Sequence, residues 1–160
     1  MKYVVATVLM LVSFTLCLAS YHKDDEATPT QNNSNNNGNP NNPTSNKMKI
    51  TAGTSVFTAT LNDTATAASF KTMLPLTLNM NKLNRNEKFY FFSTTLPTNA
   101  STGSNIQTGD LMLYSNNCLV LFYENLNTSY SYTRLGKIDN IIGLVSALGT
   151  GSITVKFELE

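Results

Sequence analysis

The chain has 160 residues, a formal net charge of +1 and 13% charged residues. This length gives room for one domain of ordinary size with a hydrophobic core of its own. Because charges are few and no cluster of lysine or arginine occurs, the composition argues against nucleic acid as a partner and favours a neutral or weakly polar partner, if there is one.

The chain begins with the pattern of an export signal. Lys2 gives a basic start, residues 3–18 are almost all apolar, and two small residues follow at 19–20. This layout is typical of a secretory signal peptide, and about 16 apolar residues fall short of the roughly 20 that a transmembrane helix needs. The sequence therefore predicts a signal over residues 1–20 and an exported product, whether periplasmic, at the cell surface or secreted.

Two processing routes are open at the end of this segment. A signal peptidase could cut before Ser20, because Cys17 and Ala19 occupy the two positions where it recognises small residues. Alternatively, Cys17 could become a lipidated N-terminus that anchors the chain to a membrane, although Leu16 is bulkier than the residue that usually precedes the cysteine of bacterial lipoproteins. Because Cys17 is either removed or lipidated, Cys118 is left as the single cysteine of the domain, which excludes an intramolecular disulfide.

Residues 21–46 differ abruptly in composition from what precedes and follows them. After a charged run at 23–26, asparagine, serine, threonine, proline and glycine dominate. Such a segment cannot bury enough apolar surface to offset its conformational entropy, so we expect a disordered Asn-rich linker. Its position between an export signal and a domain over residues 47–160 indicates a spacer.

The first half of the domain predicts four strands and a short helix. The strands are expected over residues 48–51, 56–61, 76–80 and 88–93. They alternate apolar with polar residues or are rich in aromatics, which is typical of strands. Residues 65–74 follow residue types that favour helix N-caps and end at Pro75, which predicts the helix. A long polar loop is expected over residues 96–108.

The second half predicts four more strands and a second helix. The strands are expected over residues 111–114, 118–123, 130–138 and 153–159. Asp139 and Asn140 are N-cap types before the apolar residues 141–148, and Gly149 follows, which favours the helix. About eight short strands with two short capping helices indicate a mainly β fold that closes into a small barrel.

Three stretches of the domain carry a specific resemblance. They are residues 113–123 (LYSNNCLVLFY), 129–136 (SYSYTRLG) and 96–100 (LPTNA). Together they look like a family of bacterial cyclophilin-like proteins of generally unestablished function, and the resemblance spans roughly 48–160. It implies a closed β-barrel with short capping helices.

The sequence also departs from the true prolyl isomerases of this fold. It lacks their Phe-His-Arg motif on an early strand and their Gly-rich run before the binding-groove residues, and it has no tryptophan. The resemblance therefore implies a cyclophilin-like binding module more readily than an active isomerase.

The residue types exclude most catalytic mechanisms. The only histidine is His22, in the linker, so we expect no His-dependent acid–base chemistry or triad in the domain. One cysteine without histidine makes no thiolate or imidazole metal site, and no Gly-rich phosphate loop occurs. Glu87, Asp110, Glu124 and Asp139 are explained as turn, strand-start, loop and cap residues. We expect no catalytic residue, cofactor or metal.

One strand carries the best candidate for a ligand-binding face. Tyr130, Tyr132 and Arg134 have even numbers, and alternate residues of a strand share one face. Two tyrosines and an arginine in line can stack on flat or apolar groups and donate hydrogen bonds. The alternative is a solvated outer face without a ligand. Tyr114 and Asn116, at the end of a neighbouring predicted strand, are secondary candidates.

These patterns favour an exported cyclophilin-like binding module for a peptide or a small molecule. One alternative is a peptidyl-prolyl cis–trans isomerase of the cell envelope with a non-standard active site, in which Arg134 would donate to the prolyl nitrogen of the twisted amide. Another is a structural partner in a surface assembly that has no ligand groove.

Overall fold

A computed structural model of the chain describes residues 45–103 and 105–160. The predicted signal over 1–20, with Cys17, and nearly all of the predicted linker over 21–46 lie outside the described residues. In the part of the chain that the structure describes, neither helix has the length and apolar character needed to cross a membrane.

Nine strands and two short helices follow one another through the described residues. They are β1 (Lys47–Ala52), β2 (Ser55–Leu61), α1 (Ala65–Lys71), β3 (Leu76–Leu83), β4 (Glu87–Phe91), β5 (Ser101–Thr102), β6 (Asp110–Tyr114), β7 (Cys118–Phe122), β8 (Ser131–Ile138), α2 (Leu144–Leu148) and β9 (Ile153–Leu159). Each predicted strand has a counterpart among them. The two-residue β5 lies inside the segment predicted as a loop.

Eight antiparallel strands close into a barrel. Their order is β2-β1-β9-β3-β4-β7-β6-β8, and β8 pairs with β2 to complete the ring. The closing contact runs from the pair Ala59–Ile138 to the pair Leu61–Gly136. β5 lies outside the ring and pairs only with the start of β8. The prediction of a closed, mainly β barrel of about eight strands with two short helices is confirmed.

Helix α1 forms where the capping residues predicted it. The Thr64 hydroxyl accepts a hydrogen bond from the backbone N–H of Ala67 at 3.2 Å, which satisfies one of the free donors of the first turn. The helix ends at Lys71, three residues before the predicted end. Phe70 lies fully buried and meets the ring of Phe157 edge-on at 6.2 Å, so α1 packs on the barrel core.

Helix α2 is shorter than predicted, and its expected caps have other roles. It begins after Gly143, whose φ of 81° lies in the left-handed region and interrupts the helical path. Asn140 accepts a hydrogen bond from the N–H of Ile142, and Asp139 binds Lys47 and the Thr60 hydroxyl instead of a helix N-terminus. The prediction of Asp139 and Asn140 as helix caps is wrong for that reason.

The sheet separates two apolar clusters. Leu119 and Leu121 of β7 belong to the large cluster that fills the barrel, whereas their neighbours Cys118, Val120 and Phe122 belong to a smaller cluster on the other side of the sheet. Since successive side chains of a strand point to opposite faces, β7 contributes to both clusters and is buried along its whole length. The smaller cluster lies on the outside of the barrel and forms the base of the candidate site.

Candidate ligand-binding groove on the outer face of the barrel

A groove of about 590 Å³ lies on the outer face of β4, β6, β7 and β8. Strand register explains its floor: Phe89 of β4 pairs with Val120 of β7, and Phe91 pairs with Cys118. Directly paired residues of neighbouring strands share a face, so these four side chains point outward together. A volume of this size and an apolar lining are typical of sites that bind small molecules.

Three tyrosines form one end of the groove. Tyr114 of β6 pairs with Tyr132 of β8, and their ring centroids lie 5.4 Å apart. Tyr130 precedes β8 by one residue and meets Tyr114 at 6.2 Å with nearly perpendicular rings. Tyr132 is 7% exposed and also contacts Phe122, whereas Tyr130 is 63% exposed. Tyr132 is thus packed against the rings of Tyr114 and Phe122, whereas the ring of Tyr130 is left open to a ligand.

The other end of the groove carries two buried polar side chains, Asn86 and Glu87. They follow the tight β3–β4 turn, in which Asn84 and Arg85 have φ values of 51° and 66°. Two left-handed residues in a row are the signature of the hairpin turn whose twist matches that of the strands. The turn is anchored further because the N–H of Tyr123 donates to the Asn86 carbonyl oxygen at 2.9 Å.

The Glu87 carboxylate has no counter-ion among residues 45–103 and 105–160. The described ion pairs join other residues, and the side chain of Glu87 is only 6% exposed. Burial raises the pKa of Glu87, because a charged carboxylate is less stable away from water. The side-chain oxygen of the neighbouring Asn86 is enclosed and has no hydrogen-bond donor in the described structure.

The Glu87 charge acts on the groove floor and on the tyrosine end. Burial raises the pKa of Cys118 to about 11, and the negative charge of Glu87 adds to the increase. Burial likewise raises the pKa of Tyr132 to about 12, with Glu87 as the next cause. The carboxylate, the thiol and the phenol all line the same groove, which is why the charge of one raises the pKa of the others.

The structure does not place Arg134 in this groove. Its guanidinium donates a hydrogen bond to the Asp110 carboxylate at 2.9 Å and is absent from the groove lining. Asp110 is itself buried, accepts from the backbone N–H of Gln107 and lies 3.7 Å from the Lys137 ammonium. Arg134 therefore serves as counter-ion to a buried carboxylate at a different part of the outer face.

Of the five predicted site residues, the groove brings together Tyr114, Tyr130 and Tyr132. Asn116 lies in the β6–β7 turn, where its carbonyl oxygen accepts a hydrogen bond from the N–H of Leu96 at 2.8 Å, and it does not line the groove.

Sequence reasoning overlooked the β4 side of the groove. The odd-numbered positions Glu87, Phe89 and Phe91 alternate as a shared face requires, which was a usable signal. Glu87 was assigned to a turn, whereas it is the first residue of β4. The pairing of β4 with β7, which joins distant parts of the chain, could not be inferred from local pattern.

Within the described ranges, no group of three or more histidine, cysteine, aspartate or glutamate side chains is arranged to bind a metal ion.

Comparison with known proteins identifies a family. The model of a family described as the cyclophilin-like family matches residues 50–158, which is well over half of the chain. The matched range contains β2 to β8 completely, half of β1 and most of β9. No curated protein and no solved structure matches the chain significantly.

Proposed function

This chain belongs to the cyclophilin-like family, as its sequence resemblance predicted, and from that premise we propose that it is an exported binding module for a peptide or a small molecule. The observation that supports binding is the outer groove of about 590 Å³, with an aromatic lining and a few polar groups at its ends. Such a combination provides apolar contact area together with orientation of the ligand.

The surroundings of Arg134 are the reason for preferring binding over prolyl isomerisation. Isomerisation requires a donor directed at the prolyl nitrogen while the substrate occupies the pocket, since the nitrogen becomes basic only in the twisted state. The guanidinium of Arg134 is held by Asp110 and does not line the groove. We therefore expect the groove to bind a ligand without accelerating cis–trans rotation about a prolyl peptide bond.

The test of binding is an NMR titration of the full purified chain with the N-acetylated peptide Phe-Pro-Phe amide. We expect chemical-shift changes around Phe89, Tyr114 and Tyr132. Tyr130→Ala should weaken binding about fivefold, because an open aromatic ring is worth about 1 kcal/mol of contact. Val56→Ala is the matched control, since Val56 is a similarly exposed apolar residue on β2, outside the groove.

Failure of this peptide to perturb the groove, combined with failure of small aromatic ligands, would overturn the binding proposal and favour a structural role in an assembly. A protease-coupled assay on the same proline peptide tests the isomerase alternative. We expect no acceleration at high protein concentration. Activity that disappears in Arg134→Ala would reverse our preference.

Export is part of the proposal, and the sequence of the first 20 residues supports it. Mass spectrometry of the protein made by its native host tests it through the mature N-terminus. We expect a chain that begins either at Ser20 or at a lipid-modified Cys17. An intact chain beginning at Met1 would contradict export and with it a periplasmic, surface or secreted location.

A further inference from the structure

On the basis of the function proposed above, we propose that the groove recognises a primary ammonium group carried on an apolar body, with Glu87 as its counter-ion. Recognition would thus combine a buried carboxylate at one end of the groove with aromatic surface along the rest of it. Three features of the described structure lead to this ligand class.

The first feature is the unpaired carboxylate itself. A buried carboxylate is stable in a protein when a cation or several donors compensate it. Its chain neighbour Lys88 does not do so, since the Lys88 ammonium donates to the carbonyl oxygens of Gly149 and Gly151 and lies 5.6 Å from the ring centre of Tyr123. Lys82 pairs with Lys88 across β3 and β4 and so shares its face rather than that of Glu87.

The second feature is the charge of the lining. Glu87 is the only acidic or basic residue among the described residues that line the groove. A groove with one buried negative charge and no positive charge attracts cations and repels anions. Its tyrosine and phenylalanine rings add to this preference, because the face of an aromatic ring attracts a cation.

The third feature is the absence of donors at the Glu87 end of the groove. Asn86 lines this end, and its side-chain oxygen is enclosed and has no donor within the described structure. The Glu87 carboxylate, which has no donor among the described residues either, matches a cation that carries N–H groups. A primary ammonium has three such donors, whereas a quaternary ammonium has none, so the geometry favours the primary amine.

Three probes that share a phenylethyl body test the ligand class by NMR titration of the full purified chain. They are phenethylammonium, its N,N,N-trimethyl derivative and the neutral 2-phenylethanol. We expect phenethylammonium to bind at least tenfold more tightly than 2-phenylethanol, with the trimethyl derivative between them, because only the primary ammonium combines a positive charge with N–H donors for the Glu87 carboxylate. Glu87→Gln should lower the affinity for phenethylammonium to that for 2-phenylethanol and leave the affinity for 2-phenylethanol unchanged. Glu124→Gln, an exposed glutamate outside the groove lining, is the matched control.

A pH series gives a readout that needs no variant. The affinity for phenethylammonium should fall as the pH drops through the pKa of Glu87, whereas that for 2-phenylethanol should stay constant. Apart from Glu87, the described lining contains one thiol and three phenols but no second carboxylate, no imidazole and no amine. A flat profile for phenethylammonium would overturn the ammonium proposal.

The outcomes separate this inference from the function on which it rests. Equal affinities for the ammonium and the alcohol, unchanged in Glu87→Gln, would overturn the ammonium proposal and leave the groove a binding site. If no probe binds, the ammonium proposal fails, and the acetylated peptide alone decides the proposed function. Phe-Pro-Phe amide with a free N-terminus identifies the source: tighter binding than its acetylated form indicates a peptide N-terminus, and equal binding indicates a free amine.

Discussion

Glu87, the proposed counter-ion of the ligand, lowers the stability of the folded state at neutral pH. Its raised pKa means that the folded protein holds the Glu87 proton more tightly than the unfolded chain does. Stability from this residue is therefore fully present below the ordinary pKa of glutamate and is lost as the pH rises through the higher pKa of the folded state. We expect Glu87→Gln to raise the free energy of unfolding by about 1 kcal/mol at pH 7, because a neutral amide is cheaper to bury.

Urea denaturation at pH 7 and at pH 3.5 measures this effect. The gain from Glu87→Gln should be absent at pH 3.5, where wild-type Glu87 is protonated in the folded state. Glu124→Gln, at an exposed loop position, should leave the free energy of unfolding unchanged at both pH values. A loss of stability in Glu87→Gln at pH 7 would mean that the carboxylate has a favourable partner in the folded chain.

Cys118 should be a poorly reactive thiol despite its place in the groove. Burial and the nearby Glu87 charge raise its pKa to about 11, and the thiolate is the reactive form. At pH 8 the thiolate fraction is then about 100-fold below that of a free cysteine, so labelling by iodoacetamide should be slower by at least that factor. The unfolded chain in urea is the control, and equal labelling rates in both states would contradict the burial of Cys118.

The role of a residue could be predicted where its neighbours along the chain determine that role, but not where its neighbours across the sheet do. The position of Tyr130 and Tyr132 on one face could be predicted, because alternation within one segment is visible in the sequence. The role of Arg134 could not, because Asp110, which binds its guanidinium, comes from another strand. A side chain whose partner lies on a different strand is assigned only once strand register is known.

At the level of elements, Gly136 shows how closely the barrel is closed. A Cβ atom at this position would lie 2.9 Å from the Cα of Leu61 and still nearer the Thr60 carbonyl oxygen, where β8 pairs with β2. We expect Gly136→Ala to lower the free energy of unfolding by about 3 kcal/mol, because backbone atoms of both strands would have to separate.

Thermal and urea denaturation of Gly136→Ala, with Gly151→Ala as the control, measure the cost of opening this contact. A Cβ at Gly151 meets no atom within 4 Å, so this second substitution should be nearly neutral. Equal stability of the two variants would show that β2 and β8 tolerate greater separation than their pairing indicates.

The elements themselves were largely predictable, and the exceptions have physical causes. Barrel strands with strict alternation, such as β9 (Ile153–Leu159), were predicted to the residue because one face is buried along their length. The two-residue β5 escaped prediction because only its pairing with β8 makes it a strand. Helix α2 was predicted too long, since the left-handed conformation of Gly143 delays the start of the helix to Leu144 in a segment that is otherwise apolar.

For the molecule as a whole, Asn46 defines where the folded domain starts. Although the composition assigns it to the linker, its carbonyl oxygen accepts from the N–H of Leu61 at 2.8 Å, and its side-chain oxygen accepts from the buried Lys71 ammonium at 2.6 Å. We expect a fragment of residues 45–160 to unfold at the same urea concentration as the longer mature chain. A fragment of residues 48–160 should be less stable by about 3 kcal/mol, because it leaves the Lys71 charge buried without this partner.

Asn46→Ala in the 45–160 fragment separates the side-chain contact from the loss of chain. This substitution should reproduce more than half of the stability lost in the 48–160 fragment. It removes the partner of the Lys71 ammonium but keeps the backbone hydrogen bond to Leu61, and an unpaired buried ammonium costs more than a lost backbone hydrogen bond. Lower stability of the 45–160 fragment than of the mature chain would show that residues 21–44 contribute to the fold, which would contradict their interpretation as a disordered spacer. If the mature chain, the 45–160 fragment and the 48–160 fragment are equally stable, the domain instead starts after Lys47.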